Sequence, residues 1–196
     1  MIAVRDLLLR EASTSRTVPA ELFRDLTASE VALADSHWLL FLASALQMRL
    51  AQGVSPADLP EHKHWRWIRK ANVYAAKPGY SFHSVVCAGE TQGLALFNTT
   101  RLSRLSATPS HIVYVDYVAT APWNLAALAD APRYKGVGCV LIEAAVAHSH
   151  AAGYAGRLGL HALPQSEAFY RDTCGMTDCG ADAAESGLFY FEMTAA

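Results

Sequence analysis

Two glycines one residue apart, Gly136 and Gly138, stand at the start of an apolar segment that has the period of a helix. Apolar residues recur there at helical spacing through Val137, Leu141 and Ala144. The first turn of a helix has unpaired N–H groups, and the positive end of the helix dipole lies beside them. Glycine allows the backbone itself to approach a ligand closely. The feature therefore predicts either a phosphate-binding site at a helix start or a turn with a purely structural purpose.

Two well-known nucleotide motifs do not match this segment. A dinucleotide fingerprint would need a third glycine where the chain has Leu141. A Walker loop would need the sequence G-K-[ST], which does not occur here. The elements around the segment must therefore indicate whether it binds an anion and, if so, which one.

The composition is that of one globular domain over residues 1–196. Hydrophobic residues make up 52% of the chain and charged residues 17%. The formal net charge of −2 gives no overall basic footprint, so nucleic acid is not an expected partner. The aromatic and basic run His62–Lys70 can be read as an amphipathic helix, as a contact surface for an anion or as part of the wall of a ligand site.

Cysteine usage and hydropathy indicate the compartment. The four cysteines are scattered, which favours free thiols in a reducing cytoplasm over a disulfide framework, and neither they nor the histidine pairs have the spacing of a metal site. The N-terminus has no signal-peptide pattern, and the apolar stretch His37–Met48 is shorter than the roughly 18 residues that a span needs. We expect a cytoplasmic protein without a metal or a membrane partner.

The chain divides by pattern into a helical N-terminal part, residues 1–75, and a sheet-forming part, residues 80–193. Apolar residues recur at helical spacing through Leu22, Phe23 and Leu26, and Thr27–Glu30 matches a capping box that opens the next helix. Strands are predicted over 81–89, 93–100, 111–119, 156–163 and 187–193, with helices after Gly136 and over 166–175. This order predicts an α+β domain in which helices pack on a mixed sheet.

The sequence R-Y-K-G-V-G, Arg133–Gly138, closely resembles the [QR]-x-x-G-x-[GA] pyrophosphate loop of the GNAT superfamily of acetyl-CoA-dependent N-acetyltransferases. It follows a strand and opens a helix, as the loop does in that family. Residues 156–176 are similar to the family's next strand and short helix, which carry a tyrosine and then a glycine. The resemblance covers residues 80–193 and implies a mostly antiparallel central sheet flanked by helices.

The resemblance also implies acetyl-CoA as co-substrate and a set of residues that bind it. Loop amides would hold the pyrophosphate, and the preceding strand would separate from its neighbour so that the pantetheine pairs with backbone. An amide near Val118 would polarise the thioester carbonyl, and Tyr170 falls where the family's tyrosine protonates the leaving thiolate. The cofactor-binding residues implied are Val118, Ala119, Thr120, Arg133, Lys135, Gly136, Val137, Gly138 and Cys139.

A base must take the proton of the attacking amine. Asp116 and His111 are both candidates on the predicted strand 111–119. Asp116 is favoured because a carboxylate in an apolar strand is costly to bury without a role, although a hydrogen-bonded structural aspartate remains an alternative.

Two departures from the family pattern stand out. The segment 121–132 is longer than in typical members, and it places Trp123 and Asn124 where they could shape the acceptor pocket, or where Trp123 could pack beneath the loop. The spacing from Tyr170 to Gly175 is one residue longer than usual.

The function implied is transfer of an acetyl group from acetyl-CoA to a primary amine by direct attack in a ternary complex. A non-catalytic module that binds or senses acyl-CoA is the alternative, and a toxin-like acetylase of aminoacyl-tRNA is disfavoured by the near-neutral charge. The set Ser166, His161 and Asp172 could suggest a hydrolase, but no G-x-S-x-G elbow is present. The acceptor, a small molecule or a peptide, stays open, as does the oligomeric state, a homodimer included.

Overall fold

The computed structural model describes residues 2–195, with side chains from residue 6 onward. Its strands are β1 (Ile2–Glu11), β2 (Thr17–Arg24), β3 (Tyr80–Cys87), β4 (Glu90–Asn98), β5 (Val113–Thr120), β6 (Tyr134–Lys135), β7 (Leu158–Ala162), β8 (Thr177–Asp182) and β9 (Leu188–Met193). Its α-helices are α1 (Ala28–Ala51), α2 (Trp67–Tyr74) and α3 (Val137–Ala151). Short 3-10 or π turns cover Glu61–His64, Pro122–Asn124, Pro164–Ser166, Phe169–Thr173 and Ala183–Glu185.

The described strands form one sheet in the order β6-β1-β2-β3-β4-β5-β7-β9-β8. Every neighbouring pair is antiparallel except β5 with β7. Helix α3 crosses between these two strands, as a parallel connection requires. The mixed, mostly antiparallel α+β fold expected from the sequence is therefore confirmed.

The first strands correct one expectation. The helical interpretation of Leu22, Phe23 and Leu26 is wrong, because β2 runs through Arg24 and pairs with β1 on one side and β3 on the other. Alternation was the available signal: Ala20 and Leu22 are buried, while Glu21 between them is exposed. Strand β1 also lies within the part predicted to be helical, so that the helices of residues 1–75 begin only at α1. Strands β6 and β8 lie where no strand was predicted.

Helix α1 begins as the sequence indicates. Thr27 and Glu30 form the predicted capping box, in which each side chain accepts a hydrogen bond from the other residue's backbone N–H. Asp35, on the buried side of α1, accepts hydrogen bonds from the backbone N–H groups of Trp67 and Ile68 at 3.0 and 3.3 Å. This carboxylate thus satisfies the start of α2, which has no side-chain cap of its own.

Helices cover both faces of the sheet and divide the core. Helix α3 packs its buried residues, Leu141 among them, against one face. Helices α1 and α2 pack Trp38 and Trp67 against the other face, where the rings meet edge to face. By length and hydropathy α1 could also cross a membrane, but here it is a packing helix of the folded domain. The four cysteines are free.

Candidate active site

Strands β5 and β7 separate after a short paired stretch. They pair at Val113 with Leu158 and at Tyr114 with Gly159 and then diverge, although β5 continues to Thr120. A cleft of about 310 Å³ opens between them. Its walls come from β5 (Val115–Thr120), from β7 and the turn after it (Leu160–Ser166), and from side chains at both ends of the gap. The separation of strands that the family resemblance implied is present.

Helix α3 begins at one end of this cleft. Gly136 caps the helix with a φ of +87°, in the left-handed region that favours glycine, and a side chain added there would meet open space. Gly138 lines the cleft itself, and a Cβ added to it would come within 3.3 Å of Phe169 Cζ. The N–H groups of the first turn have no partner inside the helix. The arrangement can bind an anion through backbone amides.

The backbone of β5 presents hydrogen-bonding groups to the cleft. The N–H of Ala121 donates to Gln92 O, and Ala119 pairs opposite Leu94 two residues earlier. Because antiparallel neighbours alternate, this register directs the amides of Val118 and Thr120 away from β4, toward the β7 side. These are amides that could pair with an extended ligand or polarise its carbonyl.

Asp116 lies at an irregularity in β5. The register shifts between Leu96 and Phe97, so that Asp116 is an extra residue on β5. Its side chain lines the cleft, and Oδ2 is buried without a hydrogen-bond partner among the described residues. Burial raises the pKa of the Asp116 carboxyl to about 6, against the lowering effects of Arg101 and Asn98. A carboxylate with a free oxygen and a pKa near neutrality can accept a proton.

Tyr170 lies across the cleft from β5, in a π-helical turn. The N–H of Cys174 donates to Phe169 O at 3.0 Å, five residues back, which adds one residue to the turn. This explains the extra residue between Tyr170 and Gly175. Tyr170 is buried, and no described residue forms a hydrogen bond with its hydroxyl. Burial, and Cys174 beside it, raise the pKa of Tyr170, so the phenol stays protonated at neutral pH.

Trp123 and Asn124 lie outside the cleft and hold the loop instead. Buried Gln92 on β4 accepts hydrogen bonds through Oε1 from Trp123 Nε1 at 2.8 Å and Asn124 Nδ2 at 3.1 Å. Asn124 Oδ1 in turn accepts from the backbone N–H of Tyr134 at 2.9 Å. The long segment 121–132 is thus fastened to the sheet just before Gly136. Nothing in the sequence pattern marked Gln92 as the anchor.

The basic residues of the loop point to its outer surface. Arg133 forms an ion pair with Glu90 at 2.8 Å and lies over the Trp123 ring, while Lys135 is exposed in β6. Val137 is buried beneath the loop and Cys139 is partly exposed. Of the implied cofactor-binding residues, those that line the cleft are Val118, Ala119, Thr120 and Gly138.

The two histidines that the sequence offered as catalytic candidates do not have the geometry of a catalytic group. His111 is exposed, stacks on Tyr154 and lies outside the cleft. His161 lines the cleft, but its ring nitrogens contact Tyr114 and Asp182, so it is held in a structural network. Among residues 2–195, no group of three His, Cys, Asp or Glu side chains has the geometry of a metal site.

Two aromatic rings line the far end of the cleft. Trp65 and Tyr117 line it there, with ring centroids 5.0 Å apart and planes nearly perpendicular. Trp65 precedes α2, so the run His62–Lys70 does border the cleft. The spacing of aromatic residues gave no means to pair Trp65 with a residue of β5.

Comparison with known proteins supports the fold. No protein-family model matches the chain, and no curated protein sequence does. Among solved structures, a GNAT-family protein from Desulfovibrio desulfuricans superposes with a TM-score of 0.55 at 14% identity, covering 90% of this chain and 99% of that one. The GNAT domain of S. lividans PAT gives 0.55 at 15% identity, covering 96% and 95%. The BH1408 protein from Bacillus halodurans gives 0.51 at 12% identity, covering 82% and 96%.

Proposed function

We propose that this chain, which has the fold of the GNAT acetyltransferases, moves an acetyl group from acetyl-CoA to a primary amine by direct attack. One observation carries the proposal: β5 and β7 separate into a cleft that has a glycine-opened helix start at one end and Asp116 with a free oxygen further along. Acetyl-CoA needs a site that binds its pyrophosphate and backbone amides that pair with its pantetheine. The amine that attacks it needs a base, and the cleft offers all three along its length.

Acetyl-CoA would lie along β5. Its pyrophosphate would meet the backbone amides from Lys135 to Cys139, where helix α3 begins. Its pantetheine would run beside Val118, Ala119 and Thr120, whose neighbours on the β7 side are missing. The amide of Val118 would then face the thioester carbonyl and stabilise the negative charge that develops on its oxygen.

Asp116 would act as the general base. Its free Oδ2 accepts a proton from the acceptor ammonium or from the amine as it attacks. The amine nitrogen forms a bond to the acetyl carbon, and the bond from that carbon to sulfur breaks. Coenzyme A leaves as a thiolate. Because the amine itself attacks the thioester carbon, the acetyl group is never bonded to the enzyme.

Tyr170 would supply a proton to the leaving sulfur. Its side chain is buried, and no described residue forms a hydrogen bond with its hydroxyl. Its raised pKa keeps the proton in place until a thiolate forms beside it.

Two measurements on the wild-type protein test the proposal. Acetyl-CoA should raise the Tm, since a ligand that binds only the folded state stabilises it. With a panel of primary amines, release of the coenzyme A thiol should depend on the amine and match the formation of acetylated amine. A rise in Tm without thiol release on any amine would support the non-catalytic acyl-CoA-binding module instead. No rise in Tm would contradict both.

A further inference from the structure

A second pocket lies beyond the aromatic end of the cleft. It has a volume of about 370 Å³ and shares Trp65 and Tyr117 with the cleft. Its remaining lining includes Arg66, Arg69 and Lys70, which come from the start of α2. We call it the basic pocket. Tyr117 packs with residues of α1 and α2 on one face of the sheet, whereas α3 packs on the other face. The basic pocket therefore lies across the sheet from α3, and we place it on the acceptor side of the proposed reaction.

The three cations of the basic pocket have no acidic partner. Within residues 2–195, none of Arg66, Arg69 and Lys70 forms an ion pair with a carboxylate. Arg66 donates only to main-chain carbonyls, those of Trp65 at 2.9 Å and Lys63 at 3.5 Å. The nearby carboxylate of Asp35 is already bonded to two N–H groups of α2.

Several arginines elsewhere among the described residues form ion pairs with carboxylates. These pairs are Arg24–Asp25, Arg49–Asp130, Arg104–Asp182, Arg133–Glu90, Arg171–Glu167 and Arg171–Asp178. A chain with a net charge of −2 has carboxylates to spare. Three unpaired cations on one short helix therefore form a local positive field that a ligand can use.

Lys70 is also partly removed from water. Its Nζ lies 3.5 Å from the centroid of the Tyr117 ring and 4.6 Å from that of Trp65. Burial lowers the pKa of Lys70 to about 8 despite Asp35 nearby, so holding this charge costs free energy. An anion placed in the pocket would offset that cost.

We propose that the acceptor is a primary amine that also carries an anionic group, a phosphate or a carboxylate, and that the basic pocket binds this group. The amine then lies at Asp116 on the other side of the Trp65 and Tyr117 rings. Asp116 places a carboxylate at one end of the acceptor and the basic pocket places cations at the other, so the two ends of the acceptor meet side chains of opposite charge. This inference rests on the proposed function, and it excludes polycationic amines as preferred acceptors.

Direct binding tests the inference without relying on turnover. The protein saturated with coenzyme A is titrated by calorimetry with matched amines: O-phosphoethanolamine against ethanolamine, glucosamine 6-phosphate against glucosamine, and phenylalanine against phenylalaninamide. In at least one pair, the anionic member should bind about tenfold tighter or more. Equal affinities in all three pairs, or no anionic amine bound at millimolar concentration, would overturn the inference.

Substitutions in the basic pocket show where the preference arises. Arg69→Gln changes an exposed side chain and should leave the Tm unchanged. Arg66→Gln is the second variant, and its Tm should fall slightly because it removes hydrogen bonds to the carbonyls of Lys63 and Trp65. Each variant should reduce the preference for the anionic amine by about fivefold or more while acetyl-CoA affinity stays unchanged. Arg16→Gln, an exposed arginine in the turn between β1 and β2, is the matched control and should change neither. If the preference survives in both pocket variants, the anion binds elsewhere and the inference fails.

The same experiment keeps the two proposals distinct. If anionic amines bind with the expected preference but no thiol is released, the anion-binding role of the basic pocket is supported and the acetyltransferase function is contradicted. If amines are acetylated without regard to their charge, the acetyltransferase function is supported and the anion-binding role of the basic pocket is contradicted.

Discussion

The two ends of the cleft are built in different ways. At the cofactor end, the ligand would meet backbone amides of β5 and of the first turn of α3, within one stretch from Val118 to Cys139. At the acceptor end it would meet side chains from two elements about fifty residues apart in sequence, Trp65 before α2 and Tyr117 on β5. Backbone amides are present whatever the side chains are, so the cofactor end can keep its ligand contacts when residues around it are substituted. The contacts of the acceptor end depend on the identity of its side chains. We therefore expect substitutions at the two ends to affect different kinetic constants.

The largest effect is expected at the acceptor end, from Asp116→Asn. Loss of the base should lower kcat by about 10²–10⁴-fold and leave the Kd for acetyl-CoA unchanged, because the side chain meets the amine and not the cofactor. Steady-state kinetics and calorimetry measure the two constants. The control is Asp58→Asn, an exposed aspartate in the loop after α1, which should match the wild type. A fall of less than about fivefold would assign the base to another group.

The same variant has a predictable effect on pH dependence and stability. Burial raises the carboxyl pKa in the folded state from 3.8 to about 6, so ionisation of Asp116 reduces stability as the pH rises through that interval. Asp116→Asn should therefore raise the Tm at pH 7.5 relative to the wild type. The kcat of the wild type should rise with pH through about 6, when Oδ2 becomes free to accept a proton.

The next effect is expected at the cofactor end, from Gly138→Leu. A Cβ at this position already comes within 3.3 Å of Phe169, and a larger side chain would occupy the space beside the helix start. We expect the KM for acetyl-CoA to rise about 100-fold with kcat changed far less, since the loss is of ground-state binding. Ala151→Leu, at the exposed far end of α3, should bind acetyl-CoA normally. If Gly138→Leu lowers the Tm as strongly as it lowers the affinity for acetyl-CoA, the loop is a structural turn and not a cofactor-binding site.

Tyr170→Phe should have a smaller effect and distinguishes chemistry from packing. We expect kcat to fall by about 10–100-fold with little change in Tm, because no described residue bonds to the hydroxyl. Tyr154→Phe is the opposite case: its hydroxyl donates to Thr99 O at 3.2 Å, so the Tm should fall while kcat stays the same. Unchanged kcat in Tyr170→Phe would show that water or another donor protonates the thiolate.

The smallest kinetic effect is expected from Gln92→Leu, which touches neither end directly. It leaves the Trp123 and Asn124 donors without their acceptor and should cost about 1–3 kcal/mol of folding free energy, measured by urea unfolding. The KM for acetyl-CoA should rise by severalfold, since the segment before Gly136 loses its anchor. Gln47→Leu on the exposed face of α1 controls for the loss of an amide. If only stability changes, Trp123 and Asn124 do not position the loop.

Local patterns predicted the elements whose conformation depends on nearby residues. The capping box of Thr27 and Glu30 fixed the start of α1, and the glycines at 136 and 138 fixed the start of α3. Strands β3 and β4, which pair antiparallel, lie close to the strands predicted over 81–89 and 93–100. Strand β2 was mistaken for a helix because Leu22, Phe23 and Leu26 have helical spacing, whereas the shorter alternation of Ala20 and Leu22 is the period of a strand.

By itself, the sequence determined that a strand leads into a glycine-opened helix, because these conformations are set by neighbours in the chain. Only the tertiary structure decided that Asp116 has a free oxygen, that Gln92 holds the loop, and that the cations of α2 stand unpaired beside Tyr117. Each of these features depends on which residues far apart in sequence come into contact. Packing across the sheet determines those contacts, and the spacing of residues along the chain does not predict them.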